Sequence, residues 1–497
     1  MSNLSELLPS GGGQNLVEFV ASGTLPNGKP VILNSDGTVT VVGESSTTGI
    51  VIPSSSEVVF NSANSDYIRV AYDLNTAGKF VAVYRDVGNS NYPTAVVGTV
   101  SGTTISFGSE YVAMSTASLQ LDVSFDPNTA NKFVMAFSAS YDGTVVVGTV
   151  SGTSISFGSA TVFNSNQAKD CSVAFDPSTA NKLVLTYRDH GNSSYGTAIV
   201  GTVSGTSISF GSEYVFNSTS TYSVDSNFDP NTANKFVAVY KDGGNSDYGT
   251  AIVGTVSGTS ISFGSEYVFN SGESNLNRIA FDPNTTGKFV VTYRDDGNSL
   301  YGTALIGTVS GTTLSYGSEY VFNSAASYYL SASFDPNTAG KFVVAYQNTS
   351  SGSASAIIGT VSGTTISYSS PYVLNADNSQ YTDLSFDPNT SGRFVVAYKD
   401  LGNSNYGTAI LGDLSGTITT TNLTATNLIG ISSASASSGG TAKINTWGGI
   451  NEAQTSLVIA SDYYVQADGT ITTASSSPAV KVGQAISATT INMKDLT

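Results

Sequence analysis

Short stretches of alternating or apolar residues, separated by turn sequences, run through most of the chain. In one typical segment four such stretches follow one another: Ser223–Phe228, Lys235–Tyr240, Thr250–Val256 and Thr259–Phe263. Each has the length and residue types of a β-strand. Asp-Pro-Asn-Thr follows the first stretch, a Gly-rich loop follows the second, and Ser257-Gly258 makes a tight turn after the third. We expect Gly264-Ser265 to break the fourth strand, with Glu266–Asn270 continuing extended. The segment therefore predicts four antiparallel strands.

This four-strand pattern is repeated along the chain. The Asp that opens the first turn recurs at Asp73, Asp126, Asp176, Asp229, Asp282, Asp335 and Asp387. We expect this Asp to cap the turn through its own side chain. The Ser of Val-Ser-Gly-Thr recurs at Ser101, Ser151, Ser204, Ser257, Ser310, Ser362 and Ser415. Four antiparallel strands in about 50 residues are typical of a β-propeller blade, and blades bury their faces by packing around an axis. We expect an all-β protein with a seven-bladed β-propeller; a linear β-solenoid is the alternative.

A displaced copy of one phrase indicates how the ring closes. Tyr-Val-Phe-Asn-Ser, with small variations, follows the fourth strand in repeats one to six, whereas the last repeat ends without it. A similar phrase, Glu57–Ser62, stands before the first repeat. The simplest interpretation is that this N-terminal strand completes the seventh blade, which would protect edges that an open array leaves exposed.

The non-repeated ends predict a second domain. Strand-like stretches occur both before the repeats and after them, with hairpin turns at Asp36-Gly37 and Asp468-Gly469. Because a closed propeller returns the chain to its point of entry, we expect residues 16–44 and 422–497 to form one discontinuous β-sandwich or barrel-like domain, with the propeller, residues 45–421, inserted in it. Residues 1–15 predict a docking peptide, helical at Asn3–Leu8, on a Gly linker, or a frayed terminus.

Charge and composition exclude several function classes. The net charge of −17 and pI of 4.3 disfavour binding to nucleic acid and to anionic membranes. No stretch approaches 18 apolar residues, and the N-terminus lacks the pattern of a secretory signal. One cysteine and one histidine leave no zinc cluster and no internal disulfide. We expect no cofactor and no metal site, with calcium binding left open because carboxylates and amides abound.

The loop between the second and third strands holds the best candidate binding residues. It begins with Asp and ends with Tyr in five repeats, and repeats two and six replace it with Ser138–Gly143 and Gln347–Ser355. The candidate ligand-binding residues are Asp86, Tyr92, Asp189, Tyr195, Asp242, Tyr248, Asp295, Tyr301, Asp400 and Tyr406. Asp bonds sugar hydroxyls and Tyr offers a flat apolar face with a polar tip. The alternative is that the same residues serve turn formation and blade packing.

An enzyme is the less favoured interpretation. Catalytic carboxylates or nucleophiles should break the repeat and meet in one pocket, whereas most acidic residues here recur with the repeat. Arg85, Arg188 and Arg294 also occupy equivalent positions. We expect His190 to face solvent and Trp447 to lie in the core or an interface of the end domain. No catalytic residue is predicted; a propeller enzyme that degrades cell-surface polysaccharide is the alternative.

Four short segments of the non-repeated ends carry a resemblance to a known family: Ser22–Val39, Asn427–Ile431, Tyr464–Gly469 and the opening residues Met1–Asn15. They resemble virion structural proteins of marine tailed phages, including those of cyanophages. Val-Ile-Leu, Asp-Gly, Ile-Gly-Ile and Val-Gly-Gln-Ala-Ile-Ser, in that order, also resemble small phage head-decoration proteins. The repeats are similar to those of phage and bacterial surface proteins.

This resemblance implies a particle surface protein. It would be made in the host cytoplasm, attach to other virion proteins of the capsid or tail through the end domain, and display the propeller for adhesion to host or environmental glycans. Head decoration, head fibre and tail-fibre adhesin are all compatible with it, and a homotrimer is one assembly open to it. A secreted bacterial adhesin is the further alternative, against which the absent signal pattern weighs.

Overall fold

The computed structural model describes residues 15–52, 57–475 and 478–493. The chain divides into two compact units, residues 48–416 and residues 1–47 together with 417–497. The predicted helix at Asn3–Leu8, with most of the docking peptide, lies outside the described residues. No helix within the described ranges is long and apolar enough to cross a membrane.

The strands are numbered in chain order. They are β1 (Leu16–Val20), β2 (Pro30–Leu33), β3 (Val39–Val41), β4 (Glu44–Val51), β5 (Val58–Tyr72), β6 (Lys79–Asp86), β7 (Tyr92–Ser101), β8 (Thr104–Val112), β9 (Ser118–Phe125), β10 (Lys132–Ala139), β11 (Asp142–Ser151), β12 (Ser154–Phe157), β13 (Thr161–Asn164), β14 (Ala168–Phe175), β15 (Lys182–Asp189), β16 (Tyr195–Ser204), β17 (Ser207–Phe228), β18 (Lys235–Asp242), β19 (Tyr248–Ser257), β20 (Ser260–Phe281), β21 (Lys288–Asp295), β22 (Tyr301–Ser310), β23 (Thr313–Tyr316), β24 (Tyr320–Phe334), β25 (Lys341–Asn348), β26 (Ser353–Ser362), β27 (Thr365–Tyr368), β28 (Tyr372–Phe386), β29 (Arg393–Asp400), β30 (Tyr406–Thr421), β31 (Leu428–Ser432), β32 (Thr441–Asn445), β33 (Ile450–Asn451), β34 (Asp462–Val465), β35 (Ile471–Thr472), β36 (Val480–Ser487) and β37 (Thr490–Asn492). Two short 3₁₀ turns lie at Val87–Asn89 and Asp296–Asn298.

The first six sequence repeats each supply one antiparallel sheet of four strands, the last repeat supplies three strands of its sheet, and we number the blades by repeat. In blade four the C-terminal part of β17 pairs with β18, β18 with β19, and β19 with the N-terminal part of β20. The first strand of each repeat is the innermost, because residues of these strands line one central cavity of about 430 Å³. The fourth strand is therefore the outermost.

The N-terminal strand closes the ring as the displaced phrase predicts. The first part of β5 pairs antiparallel with β30, with Val58 opposite Ala409 and Asn61 opposite Gly407. The rest of β5 pairs with β6 as the innermost strand of blade one. The fourth-strand position of blade seven is thus occupied by chain from before the first repeat, and this expectation is confirmed.

The two ends of the blades differ. Asp-Pro turns and Ser-Gly hairpins share one end, where the Asn234 carbonyl accepts from the Val256 N–H at 2.9 Å. We call this the turn face. Loops between the second and third strands share the other end with the junctions from fourth to first strand, where Gly243 N–H donates to the Ser220 carbonyl at 2.8 Å. We call this the loop face.

The blades pack through apolar second and third strands. Tyr84, Tyr187, Tyr240, Tyr293 and Tyr398, one in each of five blades, are fully buried. Gly254 in the third strand faces the Phe236 ring so closely that a Cβ would lie 2.2 Å from it. The Gly of the repeated Gly-Thr-Val phrase is therefore required by close packing of that ring.

The end unit contains two five-stranded antiparallel sheets. One has the order β1-β32-β31-β2-β3 and the other β33-β37-β36-β34-β35. One core joins Ile32, Leu428 and Ile431 of the first sheet to Val465, Val482 and Ile491 of the second, which is the arrangement of a β-sandwich. Trp447 packs against this core, so the prediction of a core tryptophan is confirmed.

Candidate functional site

The predicted Asp and Tyr residues bracket the loops of the loop face. Asp242 ends β18 and pairs with Tyr248, which begins β19, and the equivalent pairs are Asp86 with Tyr92, Asp189 with Tyr195, Asp295 with Tyr301, and Asp400 with Tyr406. The two residues before each Tyr have positive φ, as at Ser246 (55°) and Asp247 (61°). Asn and Asp tolerate this conformation better than most residues, which suits Asn91, Asp247 and Asn405 to the position directly before the Tyr.

The Asp carboxylates hold the loops in place. Asp242 is 5% exposed, and its Oδ1 accepts from the Gly244 N–H at 3.0 Å and the Thr219 hydroxyl at 2.7 Å. Asp189 Oδ1 accepts from the Asn192 N–H at 3.1 Å, and Asp400 Oδ1 from the Gly402 N–H at 3.0 Å. The turn-forming role that we left open for these residues is thus present in the structure. Their contact with a ligand stays a prediction.

The loop tyrosines are more accessible than the aspartates. Tyr92, Tyr195, Tyr248, Tyr301 and Tyr406 are all half-buried at the first position of a third strand. Tyr195 lies opposite Ser220 and Tyr248 opposite Glu273, on the strand that leads into the next blade. Each ring therefore stands beside the junction between two blades.

Sequence reasoning missed three partners of the loop Asp. In blade four Asn217 donates to Asp242 at 3.0 Å, and the buried Tyr240 hydroxyl donates to Glu266 at 2.8 Å. We call such a set an acid–amide cluster. The five sets at equivalent positions are Asn61/Tyr84/Asp86/Glu110, Asn164/Tyr187/Asp189/Glu213, Asn217/Tyr240/Asp242/Glu266, Asn270/Tyr293/Asp295/Glu319 and Asn375/Tyr398/Asp400/Glu57. In the first set the Asn61 amide donates to Ser65 at 3.1 Å. The Tyr hydroxyl donates to the Glu carboxylate in all five.

Repeats two and six lack this cluster as a unit. In repeat two the four positions hold Met114, Phe137, Ala139 and Ala160. Repeat six keeps the Asn and Tyr but has Asn348 for the Asp and Pro371 for the Glu. The two repeats that lack the loop Asp also lack the Glu. This joint absence in the sequence would have identified the Glu as a partner.

Burial changes the acidity of several cluster carboxylates. Burial raises the pKa of Glu110, and the neighbouring Asp86 adds to this, although the Tyr84 hydroxyl opposes it. Burial also raises the pKa of Asp189 and of Asp400, beside Glu213 and Glu57 respectively. In these blades a buried Asp thus lies beside the carboxylate of an exposed Glu residue.

One cluster opens onto a polar cavity. A cavity of about 310 Å³ is lined by Asp189, Gly191 and Asn192 of the loop, by Phe163, Asn164, Ser165 and Asn166 before it, and by Glu213. Carboxylates, amides and backbone groups dominate this lining. Such groups exchange hydrogen bonds with hydroxyl-rich molecules.

The central cavity holds charges that the sequence analysis did not single out. One residue from each innermost strand forms a ring in it: Arg69, Asp122, Ser172, Asp225, Arg278, Ser331 and Asp383. Asp122 accepts from the Val173 N–H of the next blade at 2.8 Å, and Asp225 from the Ile279 N–H at 2.9 Å. Burial raises the pKa of Asp122 to about 7, with Arg69 opposing the shift. This ring therefore ties neighbouring blades together.

The remaining conspicuous residues fall into structural roles. Asp229 Oδ1 accepts from the Asn231 N–H at 2.9 Å, which confirms the predicted turn-capping role of the Asp-Pro aspartate. His190 is exposed, as expected, and Cys171 is buried. Within the described ranges no group of three or more His, Cys, Asp or Glu side chains is placed to hold a metal ion.

Comparisons with known proteins show the fold. No family model and no curated protein matches the chain. The BP39L lectin from Burkholderia pseudomallei is 9% identical, with a TM-score of 0.54 over 72% of this chain and 98% of the lectin. Sqt1 from Chaetomium thermophilum is 12% identical over 71% of this chain and 85% of its own, with a TM-score of 0.46. The NanB sialidase from Streptococcus pneumoniae is 13% identical over 71% and 69%, with a TM-score of 0.43.

The likeness to the lectin, taken with the strand pairing, confirms the predicted all-β propeller fold. At this identity the likeness shows the fold and carries no residue of a binding site across.

Proposed function

We propose that this protein is a non-enzymatic surface protein of a tailed-phage particle that adheres to glycans through the loop face of its propeller. The observation that carries the proposal is the fivefold repetition of an acid–amide cluster beside a half-buried loop Tyr. Hydroxyl-rich sugars suit such a surface, because carboxylates and amides bond hydroxyls and the Tyr ring packs on the apolar face of a sugar.

Repetition suits weak binding to a surface. Single sites of this kind need little affinity, because several sites on one rigid ring engage neighbouring glycans together and raise the overall avidity. The polar cavity at Asp189 is the most open example. A propeller-shaped lectin among the solved structures is consistent with this use of the fold.

The end unit is the proposed attachment to the particle. Its segments carry the resemblance to marine phage virion proteins, and its sandwich has its own core. Its partners would be other virion proteins of the capsid or tail, and a homotrimer is one arrangement. The protein would then act at the virion surface after synthesis in the host cytoplasm.

A glycan array tests the adhesion. Tyr195→Ala, Tyr248→Ala and Tyr301→Ala together should strongly reduce binding to the array, because three of the five loop sites lose their ring, while the melting temperature stays near that of the wild type. Tyr141→Ala is the matched control, because Tyr141 is 68% exposed in the loop of repeat two, which lacks the cluster. An undiminished array signal from the folded triple variant would remove the loop tyrosines from the site.

Mass spectrometry of purified particles tests the location. Hundreds of copies per particle would indicate head decoration, a handful would indicate a tail fibre, and absence from the particle would overturn the virion assignment. Antibody labelling and electron microscopy of intact particles would then show the position directly.

The paired carboxylates favour one second candidate, a propeller enzyme acting on cell-surface polysaccharide. Asp189 and Glu213 line one cavity, and Asp189 has a raised pKa, as hydrolases of sugars require of an acid group. Release of reducing ends from host polysaccharide by the wild type, lost in Glu213→Gln, would support this function. No release by either protein leaves the binding function.

A further inference from the structure

The innermost strand of every blade contains one non-glycine residue in the left-handed region. The seven residues, with φ between 49° and 56°, are Tyr67, Gln120, Asp170, Ser223, Leu276, Tyr329 and Tyr381. A β-bulge imposes this conformation: in blade four, Tyr222 pairs with Lys241 but Asp225 pairs with Val239. Bulky side chains are unfavourable there, and strained residues of this kind cluster at functional sites. We call these seven residues the mouth ring.

The backbone of the mouth ring is constant, whereas its side chains are not. Five residue types occupy one position in seven repeats, although the Asp of the nearby turn is the same in all seven. Two residues further along each strand lies one residue of the central-cavity ring, such as Arg69 or Asp122. Contacts between neighbouring blades, such as Tyr67 with Tyr381 and Gln120 with Asp170, arrange the mouth ring around the same axis, nearer to the loop face.

One side of the mouth ring is aromatic. The Tyr67 and Tyr381 rings lie 5.1 Å apart between centroids, and the Tyr381 and Tyr329 rings 4.8 Å apart. These residues belong to the adjacent blades one, seven and six, and all three are half-buried. Together they form a continuous aromatic arc.

Two cations contact the aromatic arc, and both are also paired with a carboxylate. Arg85 lies 5.0 Å from the centroid of the Tyr67 ring, and Lys399 lies 6.0 Å from that of Tyr381. Both donate to Asp66, at 2.9 Å from Lys399. Although burial opposes it, these two cations lower the pKa of Asp66, so the carboxylate stays charged and holds them.

The other side of the mouth ring is polar. Gln120 Nε2 donates to Asp170 Oδ1 at 3.0 Å, and the Asp170 N–H donates to Gln120 Oε1 at 3.1 Å. Arg188 pairs with Asp170 at 3.3 Å, and Ser223 accepts from the Leu276 N–H at 3.2 Å. An amide, a carboxylate and a hydroxyl thus lie on one side of the mouth ring, and the aromatic arc lies on the other.

We infer that the mouth ring is a separate binding site for a single neutral sugar unit. The aromatic arc packs against the apolar face of the sugar, and Gln120, Asp170 and Ser223 exchange hydrogen bonds with its hydroxyls. A neutral ligand fits because Asp66 already engages the cations beside the arc. The inference rests on the glycan-binding part of the proposed function but places one further, non-repeated site on the chain.

Saturation-transfer NMR on the full chain tests the inference. The probes are methyl α-D-mannopyranoside, methyl β-D-galactopyranoside, methyl α-L-fucopyranoside and N-acetyl-D-glucosamine, each added alone. At least one should bind, and Tyr329→Ser with Tyr381→Ser should weaken its affinity by about tenfold or more. Serine is the chosen replacement because Ser223 occupies the same backbone position in repeat four, so the fold accepts it.

The loop variants separate this site from the repeated ones. The Tyr195, Tyr248 and Tyr301 triple alanine variant leaves the mouth ring intact. The sugar that loses affinity in the serine variants should therefore bind the triple variant as tightly as it binds the wild type. Melting temperatures establish that each variant is folded. If the double serine variant is not folded, the single Tyr381→Ser variant replaces it in the measurement. Binding of none of the four probes to the triple variant, or an affinity within about twofold of wild type in the serine variants, overturns the inference.

Discussion

At the residue scale, repetition revealed some roles and concealed others. The Asp before Pro was predicted as a turn cap from its neighbours, and Asp229 has that role. The loop Asp was predicted from its recurrence, but its partner Glu was missed. Ser-Glu-Tyr-Val is typical of an exposed outer strand, and its pairing with a buried Tyr some 26 residues earlier, as between Tyr240 and Glu266, depends on tertiary packing.

The Tyr84–Glu110 hydrogen bond offers a test of the cluster. Tyr84→Phe should lower the free energy of unfolding by about 0.5–1.5 kcal/mol, because it removes the hydrogen bond that the buried Tyr84 hydroxyl donates to the exposed residue Glu110. Adding Glu110→Ala should restore part of that loss. Repeat two already combines Phe137 with Ala160 at these positions, so the double variant copies a natural pair.

Urea denaturation of the wild type, the two single variants and the double variant measures this coupling. A double-mutant cycle with an interaction energy near zero would show that the hydrogen bond does not stabilise the blade.

The Asp122 carboxyl makes stability depend on pH. Its pKa of about 7 in the folded protein, against an ordinary value of 3.8, means that the folded chain holds a proton there that the unfolded chain releases. This group therefore stabilises less as pH rises from about 4 to 7. Arg69, Asp225 and Asp383 are the charged groups that act on it, the first lowering its pKa and the other two raising it.

Asp122→Asn keeps an acceptor for the Val173 N–H but has no charge to bury. The variant should match the wild type near pH 4 and be more stable at pH 7.5, by about 2–4 kcal/mol at most, because the Asp122 side chain is 21% exposed and solvent reduces the penalty for its charge. Thermal melting across this pH range is the measurement. Parallel curves for the two proteins would exclude a buried, titrating Asp122.

At the scale of elements, strand periodicity predicted most of the architecture. The four strands of blade four lie where the alternation placed them. Two features differ. Gly264-Ser265 was expected to break the outer strand, yet β20 runs continuously from Ser260 to Phe281, because its two halves pair in different blades. The bulge of the innermost strand was also missed, since nothing in residues such as Tyr67 or Leu276 indicates a left-handed backbone.

The closing strand should control the integrity of the ring. Deleting Glu57–Ser62 removes the pairing of β5 with β30 and the Glu57 acceptor of the Tyr398 hydroxyl. The exposed edge of β30 should then promote association, because unpaired strand edges recruit other strands. Val59→Thr, at a 38% exposed position of the same strand, is the control that keeps the pairing.

Size-exclusion chromatography with light scattering follows the outcome. The deletion variant is expected to form soluble oligomers or aggregates and to melt at lower temperature than Val59→Thr. A monomeric deletion variant as heat-stable as the wild type would show that closure is not made by this strand.

At the scale of the whole molecule, the two units are built from different parts of the chain. The propeller unit spans residues 48–416, and both flanks are needed for the sandwich, because β32 from the second flank pairs with β1 from the first. Composition and repetition predicted a propeller between two flanks. The particle role of the flanks came from resemblance and stays a prediction, because strand patterns do not encode an attachment partner.

Separating the units should separate attachment from display. Residues 1–47 joined to 417–497 through a short Gly/Ser linker should fold cooperatively, since neither flank buries enough apolar surface by itself. This protein should enter particles, and residues 48–416 should fold as a propeller and stay out of them. Circular dichroism melting and particle co-purification measure the two properties. Joined flanks that stay unfolded, or a propeller that still attaches, would contradict the division of roles.

The structure of the full chain with an array-positive sugar bound tests the central claim most directly. The account predicts sugar density on the loop face beside Tyr92, Tyr195, Tyr248, Tyr301 and Tyr406, in the five blades that carry the acid–amide cluster, and none at the corresponding loops of blades two and six. Density on the turn face, or equal density at all seven loops, would contradict it.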